Sequence, residues 1–325
     1  MTADGDVTVR RLTLLLSTPR IAPGLFSRDA WVALASAAHV LARDEDETQL
    51  NAIQESRIAA AHLGEMQPAA LARLLVDRTD DGEVLWIGSA DGDPGLTDAL
   101  AAEVSSRQDP PEVEILVGSY DVPGSRLLDL VAVMDRLRSA GGCPWDAEQT
   151  HESLVPYVIE ETHELVEAIE SGDRTHMVEE LGDLLLQVVF HARVAQEHSE
   201  SPFGIDEVAG GIVDKLVRRH PHVFADVDAN TSQEVADNWE KIKAVEKPHR
   251  TSPLDGIPKG LPALARANKA AGRLSTAGRF DLAEAAAAED DLGSRLFALV
   301  LEARDNGQDP EAALRAVVRA LDNQT

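Results

Sequence analysis

The 325-residue sequence predicts a mainly α protein, an all-α helical bundle preceded by a small α/β N-terminal domain. Three observations carry that expectation. Short apolar runs alternate with alanine-rich stretches over residues 1–120, capped helical periodicity dominates from about residue 126, and turn residues cluster between them at 118–126 (GSYDVPGSR).

The elements follow in order. Val9 to Ser17 (VRRLTLLLS), Val84 to Gly88 (VLWIG) and Val113 to Val117 (VEILV) read as buried strands, with helices between them. Arg126 to Ala140 reads as a helix closed by Gly141-Gly142. After the loop GGCPWDAEQTH, Ser153 is the expected cap of a helix ending at Ser171, with Gly172 as its C′ residue. Asp173 caps the next, which runs to about His198 and stops at Ser201-Pro202. Asp206 is the expected cap of a helix ending at Arg219-His220-Pro221. Thr231-Ser232-Gln233-Glu234 fits a capping box for a helix carrying Trp239. A proline-punctuated segment at 248–262 precedes a last helical stretch. The expected domains are 1–120 (α/β), 126–250 (helical) and 260–325 (helical).

Composition narrows the function. The apolar share of 44% is ample for packed cores, and 57 Asp plus Glu against 30 Lys plus Arg give a net charge of -27. Such a surface repels nucleic-acid backbones and anionic membranes, so neither is an expected partner. One cysteine, Cys143, excludes an intramolecular disulfide and a thiolate zinc cluster. A polar, acidic opening and the lack of a long apolar run predict a cytoplasmic protein without signal peptide or membrane span.

Two acidic runs stand out, Glu160-Glu161-Thr162-His163-Glu164 and Glu180-Leu181-Gly182-Asp183. At 100° per residue, Glu161 and Glu164 share a face with Leu154, Tyr157, Val158, Leu165 and Ala168. Glu180 and Asp183 share one with Met177, Leu184 and Gln187. The tight Gly172-Asp173 turn predicts an antiparallel helix pair that lets the four acids face one another. Carboxylates gathered beside a core repel, and their desolvation costs on the order of several kcal/mol per ion unless a cation compensates. Oxygen-only ligands favour Mg²⁺ or Mn²⁺ over zinc, and Mg²⁺ completes its shell with waters and substrate phosphates. A solvated acidic face is the alternative on geometry alone.

Lys215, Arg218 and Arg219 fall within one helical turn and could clamp a triphosphate; service to the helix C-terminus is the other reading. Trp239 and Lys243 sit one turn apart as a stacking surface beside a cation, with core packing the alternative for Trp239. Trp145 reads as packing. His191 faces the side of Glu180, as polar support or as a core residue, and His220 with His222 flanks Pro221 in a helix stop. The segment 290–304 (DDLGSRLFALVLEAR) echoes 179–193 (EELGDLLLQVVFHAR), with Ser294 where Asp183 stands; a chance match between two Leu-rich helices is the other reading.

The spacing Glu160-Glu161-x-x-Glu164, fifteen residues, Glu180-x-x-Asp183 resembles the EExxE…ExxD motif of MazG nucleoside triphosphate pyrophosphohydrolases. GGCPWDAEQTHESL (141–154), DKLVRRHPHVFAD (214–226), NWEKIKAVEK (238–247) and DGIPKGLPAL (255–264) extend the resemblance over roughly 126–270. It implies a helical fold that homodimerises into a bundle. It also implies Mg²⁺-dependent cleavage of a nucleoside triphosphate to monophosphate and pyrophosphate, with a house-cleaning or stress-related role. Carried over by position, Glu161, Glu164, Glu180 and Asp183 are the implied metal ligands, and Glu160 the group beside the attacking water. Lys215, Arg218, Arg219, Trp239 and Lys243 are the implied nucleotide-binding residues. Residues 260–325 then read as a degenerate second copy. Residues 1–120 resemble a shortened tetrapyrrole methylase domain through DGDPGLTDAL (91–100), but Ser17-Thr18-Pro19-Arg20 replaces the glycine-rich turn, which argues against methyl transfer.

Two rival readings remain at the level of sequence. A di-iron bundle would use Glu160-x-x-His163, but the second acid run has no ExxH. A non-catalytic, dimeric helical interaction protein is the other.

Overall fold

The computed structural model describes residues 10–89, 91–225 and 251–322, with 231, 234–235, 238–239, 242 and 246. The chain forms two compact units, Met1–Gly210 and Gly211–Thr325. In the first, strands β1 (Arg11–Leu16), β2 (His39–Ala42), β3 (Ala60–His62), β4 (Val84–Ile87) and β5 (Glu112–Val117) form a parallel sheet in the order β3-β2-β4-β1-β5. Helices α1 (Arg28–Ser36), α2 (Thr48–Glu55), α3 (Pro68–Arg78) and α4 (Leu96–Ser106) lie between them in sequence.

Parallel strands covered on both faces read as near-continuous apolar runs, which is why β1 and β4 are legible. Leu12, Leu14, Leu41 and Trp86 pack with Leu71, Leu75 and Leu100 on one face. Leu15, Val40, Leu85 and Ile87 pack with Leu34, Leu50 and Ile53 on the other. Strands β2 and β3 occupy stretches that the sequence suggests are helical. They are four and three residues long, too short for a period to show, and pairing in the chain β4-β2-β3 decides them.

The same unit continues with α5 (Arg126–Arg138), α6 (Pro144–Glu148), α7 (His151–Ser171), α8 (Arg174–Ala195) and the start of α9 (Ile205–Arg219). Met134, Leu154, Val189 and Phe190 form the core of this helical part. Trp145 meets Tyr157 and Phe190 edge-on at 6.0 and 6.5 Å, a packing role as expected. The Arg138 side chain is only 3% exposed; its guanidinium lies 5.7 Å from the centre of the Phe190 ring and pairs with Glu197 at 2.8 Å. Arg20, in the turn after β1, binds Asp129 at 2.6 Å and Asp121 at 2.5 Å, holding that turn to α5.

Helix α7 begins three residues before the expected start. Thr150 is the N-cap, and Ser153 is N3 of a capping box in which Ser153 N donates to Thr150 Oγ1 (3.2 Å) and Thr150 N to Ser153 Oγ (2.9 Å). Asp206 likewise lies inside α9, where Glu207 accepts from Gly204 N at 2.8 Å. Gly172 ends α7 in the left-handed region (φ 76°), a conformation that favours glycine. Asp173 caps α8 by accepting from Thr175 N and His176 N at 2.9 and 3.1 Å. Two long helices joined by so short a turn must pack antiparallel, and α7 and α8 touch extensively.

The second unit holds the end of α9, α10 (Pro221–Phe224), α11 (Ala263–Thr276), α12 (Phe280–Ala287), α13 (Leu292–Asp305) and α14 (Pro310–Asp322). The box at Thr231 and Glu234 is formed, with reciprocal bonds of 3.2 Å. Ala271, Leu274, Ala283 and Val300 are buried apolar residues of its helices. In the echo of the acidic segment, Asp291 is the N-cap of α13 and accepts from Ser294 N at 3.1 Å and Ser294 Oγ at 2.6 Å. Asp290 and Asp291 therefore stand before the helix, whereas Glu180 and Asp183 lie within α8. Among the described residues, no helix is long and apolar enough to cross a membrane.

Candidate metal centre

The α7–α8 hairpin brings three of the four predicted ligands together. One oxygen from each of Glu161, Glu164 and Glu180 lies within 4.8 Å of the others. It is the one such grouping found among the described residues. Asp183 stands outside that triplet, one turn beyond Glu180 on α8, and close enough for its charge to act on Glu161. Glu160 is exposed beside them.

Burial grades the three acids. Glu164 is exposed, Glu161 half-buried and Glu180 only 5% exposed. Desolvation, followed by the charges of Asp183, Glu164 and Glu180, raises the Glu161 pKa. Desolvation and then the Glu180 charge raise that of Glu164. Like charges around one point resist ionisation until a cation joins them.

Glu180 supplies a further observation. His176 Nε2 lies 2.8 Å from Glu180 Oε1, one turn earlier on α8. Glu180 Oε2 is buried and has no hydrogen-bond partner. A buried carboxylate oxygen left without a partner costs about 1–3 kcal/mol or more. Three converging carboxylates, one with an unpartnered oxygen, suit a hard divalent cation that completes its shell with water and phosphate. The residues present therefore fit the metal. Sequence reasoning missed His176; its signal was the i,i+4 spacing to Glu180. His191, expected on this side, is bound elsewhere: its Nδ1 lies 2.8 Å from His151 Nδ1.

The predicted phosphate-binding residues belong to the second unit. Lys215 is exposed on α9. Arg218 Nε and Arg219 Nε reach opposite oxygens of Glu246 at 2.9 and 3.1 Å. Those guanidiniums, Arg219 foremost, hold the Glu246 carboxyl down to about 2. Both arginines thus already grip one carboxylate, a contact that the sequence did not announce. Trp239 is half-buried, edge-on to His220 at 5.5 Å. Lys243 lies outside the described residues.

A family model described as the MazG nucleotide pyrophosphohydrolase domain matches residues 149–224, from just before α7 to the end of α10. A nucleoside triphosphate pyrophosphohydrolase of Escherichia coli is 41% identical over 213 residues, covering 57% of this chain and 80% of that protein. This chain belongs to the MazG family. Other relatives extend the match. One of Mycolicibacterium smegmatis, also named nucleoside triphosphate pyrophosphohydrolase, is 44% identical over 209 residues, 62% of this chain and 64% of its own length. A 26.1 kDa Streptomyces cacaoi protein is 54% identical over 231 residues, 71% of this chain and 94% of its own. The MazG match thus includes the whole acidic hairpin and the Lys215–Arg219 turn.

Proposed function

We propose that this chain is a nucleoside triphosphate pyrophosphohydrolase that converts a (d)NTP to the monophosphate and pyrophosphate with a divalent cation. The observation that carries this reading is the convergence of Glu161, Glu164 and Glu180, the last with a buried oxygen that has no hydrogen-bond partner. Family membership supplies the substrate class: the relatives with activity names are nucleoside triphosphate pyrophosphohydrolases.

In this reading Glu161, Glu164, Glu180 and Asp183 hold Mg²⁺, with Mn²⁺ as a substitute. When bound, such a cation withdraws charge from the phosphates and acidifies a bound water. His176 orients Glu180 through its 2.8 Å contact, fixing which oxygen is presented. Glu160, exposed beside the cluster, is placed to orient the attacking water or take its proton. The water oxygen joins one phosphorus, and the bridging P–O bond breaks. Lys215, Arg218, Arg219 and Lys243 neutralise the triphosphate and the leaving pyrophosphate, while Trp239 offers a flat surface to the nucleoside. Phosphate oxygens would exchange for the Glu246 carboxylate on the two arginines.

Homodimerisation belongs to the same reading. Val155, Ile159 and Ile169 on α7, and Val178 and Leu181 on α8, are exposed apolar residues on helices that otherwise pack well. The α/β part is read as a degenerate methylase-like domain and 260–325 as a degenerate second copy. A cytoplasmic, nucleotide-pool cleaning role is the biological setting proposed.

The test is release of pyrophosphate from each common nucleoside triphosphate with and without Mg²⁺. Metal-dependent release is expected. No release from any nucleotide would leave a non-catalytic helical dimer as the better account.

A further inference from the structure

Next to the acidic cluster, the same two helices, with Phe203 and with Val208 of α9, line a cavity of about 260 Å³. Val158, Leu184, Val188 and Phe203 supply apolar surface, and Gln187 and His191 are its polar side chains. Its place follows from helix register. Val158 precedes Glu161 by three residues on α7, and Gln187 follows Asp183 by four and Glu180 by seven on α8. At 1.5 Å rise per residue, Gln187 is about 6 Å along the helix from Asp183 and about 10 Å from Glu180, on the same side. The cavity and the acids are neighbouring stretches of one surface.

Gln187 is the informative residue. It is 7% exposed, and its Oε1 is buried without a hydrogen-bond partner. A buried amide facing apolar walls leaves hydrogen-bonding capacity unused, which folding alone disfavours. Whichever way the amide is turned, it offers one donor and one acceptor side by side. His191 has Nδ1 committed to His151, so Nε2 is the ring nitrogen left for a ligand. Apolar walls with a few fixed polar groups are the general pattern of small-molecule sites, and this volume suits one ring system rather than a whole nucleotide.

We propose that this cavity seats the nucleobase of the substrate and that Gln187 reads its hydrogen-bonding edge. The inference rests on the pyrophosphohydrolase reading for the identity of the ligand. A base has a flat apolar body with donors and acceptors in its plane, which is what apolar walls and one carboxamide match. The triphosphate then extends along the hairpin toward Glu161, Glu164 and Glu180. Gln187 is thus the residue that sets base preference, while the acids serve every nucleotide alike.

The experiment measures equilibrium binding of the four nucleoside monophosphates and of ribose 5-phosphate to the full chain with Mg²⁺. Pyrophosphate release from the four triphosphates is measured in parallel. The wild type is expected to bind its preferred monophosphate more tightly than ribose 5-phosphate and to discriminate among the bases. Gln187→Leu should weaken the preferred base by roughly 5- to 150-fold, the range of a good amide–base pair. It should do so mainly through KM and leave ribose 5-phosphate binding unchanged. Val188→Trp, at an exposed position on the cavity wall, should exclude purines more than pyrimidines and guards against misfolding of the first variant. Equal binding of all four bases by the wild type, or an unchanged preference in both variants, overturns the proposal. So does a change in oligomeric state of Gln187→Leu with base preference intact, which would make the cavity an interface. Selective binding without pyrophosphate release would instead retain the cavity and reject the activity.

Discussion

His176 Nε2 holds Glu180 Oε1 at 2.8 Å, and the other Glu180 oxygen is buried without a hydrogen-bond partner. The contact turns a flexible side chain into an oriented one.

His176→Ala should therefore weaken Mg²⁺ binding about 10- to 100-fold, the usual effect of losing a group that orients a ligand. The fold should survive, because His176 is partly exposed. Titration of Mg²⁺ into metal-free protein measures it; unchanged affinity would remove His176 from the site. Glu180→Gln should go further and abolish metal-dependent turnover while the helical circular dichroism stays unaltered.

The raised pKa values of Glu161 and Glu164 give a pH dependence with a definite sign. A carboxyl whose folded pKa lies above its unfolded value favours folding while protonated, and that contribution is lost as pH rises through the folded pKa. Without metal, these two groups therefore weaken the fold at neutral pH relative to mildly acid pH. Mg²⁺ should reverse the loss, adding about 2.7 kcal/mol at a hundredfold excess over Kd. Melting curves with and without Mg²⁺ across pH should show the metal effect shrinking as pH falls. A pH-independent effect would place the cation elsewhere.

His151 and His191 touch through their Nδ1 atoms at 2.8 Å, so only one of the two nitrogens can carry the proton between them. Burial and then His151 depress the His191 pKa below 6.5. Its contribution is present above the unfolded value and is lost as pH falls through the folded one. His191→Leu should flatten the stability loss between about pH 7 and 5. A steep acid limb that persists in that variant would assign the loss to other groups.

Glu246 accepts from both Arg218 and Arg219. Glu246→Gln should lower KM for the nucleotide by a few-fold by releasing both guanidiniums, with kcat little changed. Its carboxyl titrates near 2, so no pH effect from Glu246 is expected in the ordinary assay range. A raised KM would mean that Glu246 holds the arginines ready for phosphate rather than competing with it.

The helical part was largely legible because its signals are local. Gly172 and Asp173 mark a helix stop and start within two residues, and the apolar period of α7 and α8 shows which acids share a side. Cap positions slipped where two cap-forming residues lie close together: Thr150 and Ser153 both fit, and their reciprocal bonding makes Thr150 the cap. β2 and β3 were illegible because three or four residues contain no period.

The sequence by itself determined the composition of the acidic hairpin, the order of its helices and the type of cation that such donors favour. Those properties depend on residue identity and on neighbours within a turn or two. Tertiary structure alone decided which acids converge, that Glu180 is buried and held by His176, and that Glu246 occupies the predicted phosphate clamp. It also placed an unpaired Gln187 acceptor in a cavity beside the acids. Distances and desolvation between side chains on different helices are set by packing, which no one-dimensional spacing encodes.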